Sequence, residues 1–293
     1  MPAPASPPLG VYGTMKCHKD SSEVPLIKSV NEIVRERLEE ASEAALARFR
    51  EAVRPIYGVT DRGDPDHIGT ALLLDLPEGH FLLTAAHVID WNAKTTLYLG
   101  ADEFAQLEFE ALVTVAPDDD RNKDHGDFAM ARLDDALVAK LSGAKFITEA
   151  EISRSVADTA GRTYTCLGYP NSKNKINWHK GTKVTPMLGI YTSLGRSADL
   201  LPKVAVDHDH ILVDHNAKYS RDEGTGARVN SIALPGFSGG AIIDVGRISA
   251  DTLDSPLEAK LAALLIEGHA TEKVILGTRL ATILNAFRGR AQA

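Results

Sequence analysis

From Arg54 onward the chain alternates short apolar runs with clusters of Gly, Pro, Asn and Asp, and this texture restricts the fold more than any other feature. Runs of roughly four to eight residues bounded by turn formers suit strands rather than helices, and a long succession of them suits a barrel or sandwich. The strands read from the sequence are Gly69–Leu76, Phe81–Ala85, Thr95–Leu99, Phe109–Val115, Phe128–Leu133, Thr163–Tyr169, Met187–Ser193, Ile211–Asp214, Ala241–Val245, Leu261–Ile266 and Lys273–Leu280. Pro77-Glu78-Gly79-His80 reads as the turn of a hairpin joining the first two. A single late helix, Ala281–Phe287, does not suit a parallel α/β sheet, so the chain is expected to be all-β. Two polar stretches, Asn171–Gly181 and Arg196–His210, are long enough to be functional surface loops.

The N-terminal part has a different grammar. Four prolines fall in the first eight positions, which favours a flexible tail over residues 1–21. Between Ser22 and Val53, apolar residues recur at helical spacing: Leu26, Ile27, Val30, Ile33, Val34, Leu38, Ala41, Ala45, Phe49 and Val53. The pattern predicts one amphipathic helix that starts near Ser22 and holds Pro25 in its first turn. Residues 22–54 thus form a helical extension to a globular domain over 55–293. The helix either packs on that domain or offers a regulatory protein partner a handle.

Composition removes several function classes. With 32 Lys and Arg against 40 Asp and Glu, the net charge of −8 provides no basic footprint, so neither nucleic acid nor an anionic membrane is expected as a partner. The two cysteines, Cys17 and Cys166, are too few for a disulfide framework or a zinc site; both read as free thiols, and Cys166, within an apolar strand, as a buried inert one. Asp207-His-Asp-His210, with Asp214 and His215 nearby, resembles a metal cluster. Alternate strand residues point to opposite faces, however, so the stretch reads as a solvated loop, and neither metal nor cofactor is expected. His125 reads as a surface residue and Asp118–Lys123 as an exposed turn. The opening MPAPASPPLGVYG has no basic stretch followed by an apolar one, and no run reaches the roughly 18 apolar residues of a spanning helix, so a cytoplasmic location is expected.

Three segments carry chemistry. Acyl transfer needs a hydroxyl made nucleophilic, a base to take its proton and an acid to orient that base. Phe81-Leu-Leu-Thr-Ala-Ala-His87-Val88 ends a strand on a histidine, and Asp124-His-Gly-Asp127-Phe-Ala-Met-Ala-Arg-Leu133 opens a strand with an aspartate. Pro235-Gly-Phe-Ser238-Gly-Gly-Ala-Ile-Ile243 leads into a third strand from a serine flanked by glycines.

In this order, TAAHV, DFAMARL and GFSGG resemble the histidine, aspartate and serine signatures of trypsin-like serine proteases, over roughly Tyr57–Phe287. Cys166-Leu-Gly-Tyr-Pro170 and Gly189-Ile-Tyr-Thr-Ser-Leu-Gly-Arg196 narrow the likeness to the HtrA/Do-type bacterial proteases, without the PDZ domain that commonly follows in them. The resemblance implies a chymotrypsin-like fold of two six-stranded antiparallel barrels, with His87 and Asp127 in one and Ser238 in the next. It also implies a serine endopeptidase acting on peptides or proteins. His87 would be general base and then acid, Asp127 its orienting acid and Ser238 the nucleophile; the amides of Gly236 and Ser238 would form the oxyanion hole.

Phe237 stands where digestive members carry an aspartate that pairs with a newly freed N-terminus, so the oxyanion loop must be ordered by other means. Ile232, six residues before Ser238, falls at the floor of the substrate pocket and implies small or aliphatic side chains before the scissile bond. A nucleophile elbow of the α/β-hydrolase kind fits Gly236-Phe-Ser-Gly-Gly240, but there acid and histidine follow the serine, and only His269 does so here. The standing alternative is a catalytically latent scaffold or sensor that binds peptides or partners through the same fold.

Overall fold

Long stretches of the strands are apolar on both faces because both faces are buried. The computed structural model describes residues 28–100, 104–108, 110–141, 143–174, 186–215, 234–252 and 258–290. In β2 (Pro65–Leu76), Ala71 and Leu73 enter the interior of a first lobe, whereas Leu72 and Leu74 enter a core shared with a second lobe. In β12 (Ala241–Gly246), Ile242 faces the second lobe's own interior and Ala241 and Ile243 face the shared core. Alternation therefore sorts residues between two apolar environments instead of between core and water, and the sequence reads as a continuous apolar run.

Among the described residues the first lobe is a curled open sheet of eight strands. Its path runs β5 (Ala105–Gln106), β4 (Tyr98–Leu99), β1 (Val53–Val59), β2, β3 (Gly79–Thr84), β7 (Ala129–Arg132), β6 (Ala111–Val113), with β8 (Ile147–Thr148) parallel to β2. The second lobe is a closed barrel of six antiparallel strands in the ring order β10 (Gly189–Arg196), β11 (His210–Asp214), β14 (Val274–Arg279), β13 (Lys260–His269), β12, β9 (Thr163–Gly168). This is the chymotrypsin-like double-barrel plan, with the first barrel realised as an open half. The β2–β3 hairpin forms where the sequence places it, with Leu76 paired to Gly79 across Pro77-Glu78.

The N-terminal helix differs from its expected extent. α1 runs Val30–Phe49, beginning at a capping box in which the Ser29 side chain accepts from the Glu32 amide and the Glu32 carboxylate accepts from the Ser29 amide. It starts at this cap rather than near Ser22; residues 22–27 lie outside the described residues, as does the tail over 1–21. Only Ala41, Ser42, Ala45 and Phe49 are buried, a four-residue spacing whose small members let the helix settle closely onto β9 and β12. Val30 and Ile33 stay exposed. The helix ends in a short 3₁₀ turn, Arg50–Ala52, and β1 follows at once, where the spacing predicted helix as far as Val53. A late helix, Leu280–Arg290, buries Leu280, Ile283 and Leu284 in the shared core and ties Arg288 to Glu78 of the first lobe at 2.7 Å. No helix among the described residues is long and apolar enough to cross a membrane.

Candidate active site

β3 ends at Thr84, and the extended Ala85 hands the chain to a single helical turn, α2 (Ala86–Ile89), which lifts His87 over the rim of the first lobe. Asp127 lies just before β7, its backbone at φ 35°, a left-handed conformation that costs a residue with a side chain about 1–3 kcal/mol. Several contacts enforce it. Asp124 Oδ1 accepts from the amides of Gly126 at 3.1 Å and Asp127 at 3.0 Å, while Asp124 Oδ2 pairs with Thr114 and Arg121. From the second lobe, Thr278 Oγ1 donates to the Gly126 carbonyl and His210 Nε2 donates to the His125 carbonyl, each at 2.7 Å.

So held, Asp127 grips His87 twice. Its Oδ2 accepts from His87 Nδ1 at 2.6 Å and its Oδ1 from the His87 backbone amide at 3.0 Å. The carboxylate is buried and the imidazole side chain is 37% exposed, leaving Nε2 as the free face of the ring. With Nδ1–H donated to the carboxylate, Nε2 carries the lone pair, which is the tautomer a base requires. Burial disfavours the charged ring, but the hydrogen bond and charge of Asp127 outweigh it, so His87 titrates above the ordinary histidine value.

Ser238 faces the same cleft, about 590 Å³ in volume, which is also lined by Trp91, Arg121 and Ile266. Its hydroxyl donates to the Ile266 carbonyl at 3.0 Å and makes no hydrogen bond to His87. The structure thus couples His87 to Asp127 and sets Ser238 in their cleft, with its hydroxyl turned to another acceptor. The serine loop is two consecutive turns, closed by Phe237 N–H to Leu234 O and by Gly240 N–H to Phe237 O, both at 2.8 Å. Each turn places a glycine at positive φ, Gly236 at 92° and Gly239 at 87°, and a Cβ on Gly239 would stand 1.8 Å from the Thr70 carbonyl. Among the described residues neither the Gly236 nor the Ser238 amide has a hydrogen-bond partner.

No family model and no curated protein matches this chain. It is similar to a solved structure described as "Structure of Glu endopeptidase in complex with MPD", at 15% identity and a TM-score of 0.44, covering 85% of this chain and 93% of that one.

Ile232 lies outside the described residues, as do Cys17 and much of the Asn171–Gly181 loop. Burial pushes the Cys166 thiol up to about 12, which leaves it unreactive. The Asp207–His210 stretch is not wholly a solvated loop: Asp207 and His208 are exposed, but His210 opens β11 buried, its Nδ1 accepting from the Val206 amide at 3.0 Å. Asp124, Thr278 and His210 are contributors that sequence reading passed over. A signal was available only for Asp124, whose position ahead of Gly126 is typical of a residue that accepts from amides two and three places on.

Proposed function

We propose that the protein is a serine endopeptidase in which His87 takes the Ser238 proton, Asp127 holds the imidazole and Ser238 forms the acyl-enzyme. The observation carrying this reading is the convergence of the His87–Asp127 pair and Ser238 on one cleft, with Ser238 on a loop whose Gly236 and Ser238 amides are unpaired among the described residues. Attack requires Ser238 to rotate its hydroxyl from the Ile266 carbonyl toward His87 Nε2. That exchange gives up one neutral hydrogen bond, worth about 1 kcal/mol net, and is a side-chain rotation of the fastest class. His87 would then return the proton to the leaving amine, and the imidazolium formed meanwhile is stabilised by Asp127. The Gly236 and Ser238 amides would receive the developing oxyanion, a service worth about 10²–10³ in rate per donor. Were Ile232 to fall at the floor of the pocket, as the resemblance implies, the side chain before the scissile bond would be small or aliphatic.

The Ser238 to Ile266 hydrogen bond supports a second reading, a resting state that is catalytically latent until a partner shifts the hydroxyl. A fluorophosphonate probe separates the readings, because it reacts only with a serine activated in this way. Labelling at Ser238 that vanishes in Ser238→Ala and His87→Ala is the expected result. Labelling that appears only after cell lysate is added would select the latent form, and none under either condition would sink the enzyme reading.

A further inference from the structure

The oxyanion loop lacks the ion pair that orders it in the family it resembles, because Phe237 replaces the aspartate. Phe237 is fully buried in the second lobe, so tightly that a Cβ on Gly168 or Gly189 would stand 2.9 or 2.8 Å from its ring. This anchors the loop without orienting its peptide planes. Besides the turn hydrogen bonds within the loop, polar contacts on the side facing the first lobe orient its peptide planes. Thr70 Oγ1 donates to the Gly236 carbonyl at 2.7 Å, the Thr70 amide donates to the Ser238 carbonyl at 2.9 Å, and the Asn171 amide donates to the Pro235 carbonyl at 2.8 Å.

The last of these governs the chemistry. In a trans peptide the carbonyl of one residue and the N–H of the next point in opposite directions within a single plane. Holding the Pro235 carbonyl on Asn171 therefore holds the Gly236 N–H away from Asn171, and a flip of this one plane would remove one oxyanion donor. Asn171 is itself fixed from the first lobe, since His67 Nδ1 lies 2.6 Å from its Oδ1. That oxygen seats against Gly236, 2.1 Å from where a Cβ would be.

His67 is 5% exposed, on β2, and its Nε2 is buried with no hydrogen-bond partner among the described residues. A buried polar group with half its valence unmet costs stability, so the contact it does make calls for a reason. Burial also lowers its pKa, which keeps the ring neutral with the proton on Nδ1 for donation to Asn171.

We infer that His67 and Asn171 are positioning residues for the oxyanion hole: His67 fixes Asn171, and Asn171 fixes the Pro235–Gly236 peptide plane in the conformation that frees the Gly236 amide. The inference rests on the serine-peptidase reading, so its test needs one readout that does not depend on activity. That readout is the Gly236 amide resonance in ¹⁵N-labelled protein. The second readout is the rate of fluorophosphonate labelling, and melting temperature controls for folding.

Asn171→Ala and His67→Ala should each shift or broaden the Gly236 resonance and slow labelling by roughly tenfold to a hundredfold. The double variant should lose little more than either single one, because the pair acts as a unit. Asn171→Asp keeps an acceptor for His67 and should restore both readouts, which a cavity or a general loss of stability would not. A Gly236 resonance unmoved in both alanine variants overturns the inference, as do additive losses or failure of Asn171→Asp to rescue. Wild-type protein that does not label while its Gly236 resonance still depends on His67 and Asn171 would reject the enzyme reading and leave the positioning role standing.

Discussion

The two loops that build the candidate site differ in how they are held, although each is also braced by the lobe to which it does not belong. The Asp127 turn belongs to the open first lobe and is braced by His210 and Thr278 of the closed barrel. The Ser238 loop belongs to the closed barrel and is braced by His67 and Thr70 of the open sheet, with Asn171 relaying the His67 contact. The Asp127 turn is strained, polar and near the rim, with the charged Asp124–Arg121 pair on one side. The Ser238 loop meets its positive φ values with glycines at little cost and relies on buried neutral hydrogen bonds. The site is therefore a joint product of the lobes, and neither lobe alone contains all the contacts that shape its own loop.

Four substitutions test this contrast, beginning with the largest expected effect. Asp127→Asn should slow labelling by about 10⁴-fold, since an amide no longer fixes the tautomer or stabilises the imidazolium. It should also move the pH dependence. A base must be neutral to act, so the rate rises with pH through the His87 pKa, which lies above 6.5 in the wild type and drops when the Asp127 charge is lost. A residual rate–pH limb still above 6.5 in Asp127→Asn would show that another group supplies the shift.

Gly239→Ala should cost both activity and folding stability, because it meets the Thr70 carbonyl as well as an unfavourable φ; slowed labelling of roughly 10²-fold with a lowered melting temperature is expected. An unchanged melting temperature would mean that the loop can move away from Thr70, and that its bracing by the first lobe is weaker than described.

Thr278→Val removes one inter-lobe hydrogen bond to the Asp127 turn. It should destabilise by about 1–2 kcal/mol in denaturant titration and slow labelling by roughly tenfold, with the Gly236 resonance unmoved. Movement of that resonance would break the separation between the two loops. The smallest effect belongs to the exposed Asp90, whose charge favours protonated His87. Asp90→Asn should move the rate–pH limb slightly to lower pH at low salt and hardly at all at high salt, and equal shifts at both would mean that the effect is not long-range electrostatics.

Much of the fold is legible in the residues themselves. β2, β3, β9 and β11 to β14 stand out as apolar runs because their alternate side chains enter two apolar cores. β1 escapes notice for a local reason: Val-Arg-Pro-Ile-Tyr-Gly-Val follows the helix directly, and its first valine falls in helical register with Phe49 and Ala45. β5 and β8 span two residues each, too short to show any period. The true helix start was written in Ser29 and Glu32, three apart as a capping box requires, but the apolar spacing upstream extended the pattern past it.

At the candidate site, the types and order of His87, Asp127 and Ser238 were readable, and the resemblance implied that something must stand in for an aspartate at Phe237. What replaces it was not readable. His67 meets Asn171 across 104 positions, Thr278 meets Gly126 across 152 and His210 meets His125 across 85. Strand period, turn glycines and helix caps act within a few residues, so the sequence by itself determined a β-rich chain with a serine, a histidine and an aspartate near strand ends. Which donor meets which carbonyl between the lobes depends on the register and closure of two separate sheets. Only the tertiary structure decided that Ser238 turns to Ile266 and that Asn171 holds the peptide plane before Gly236, because a hydrogen bond is specified to within tenths of an ångström and no local pattern carries that information across tens of residues.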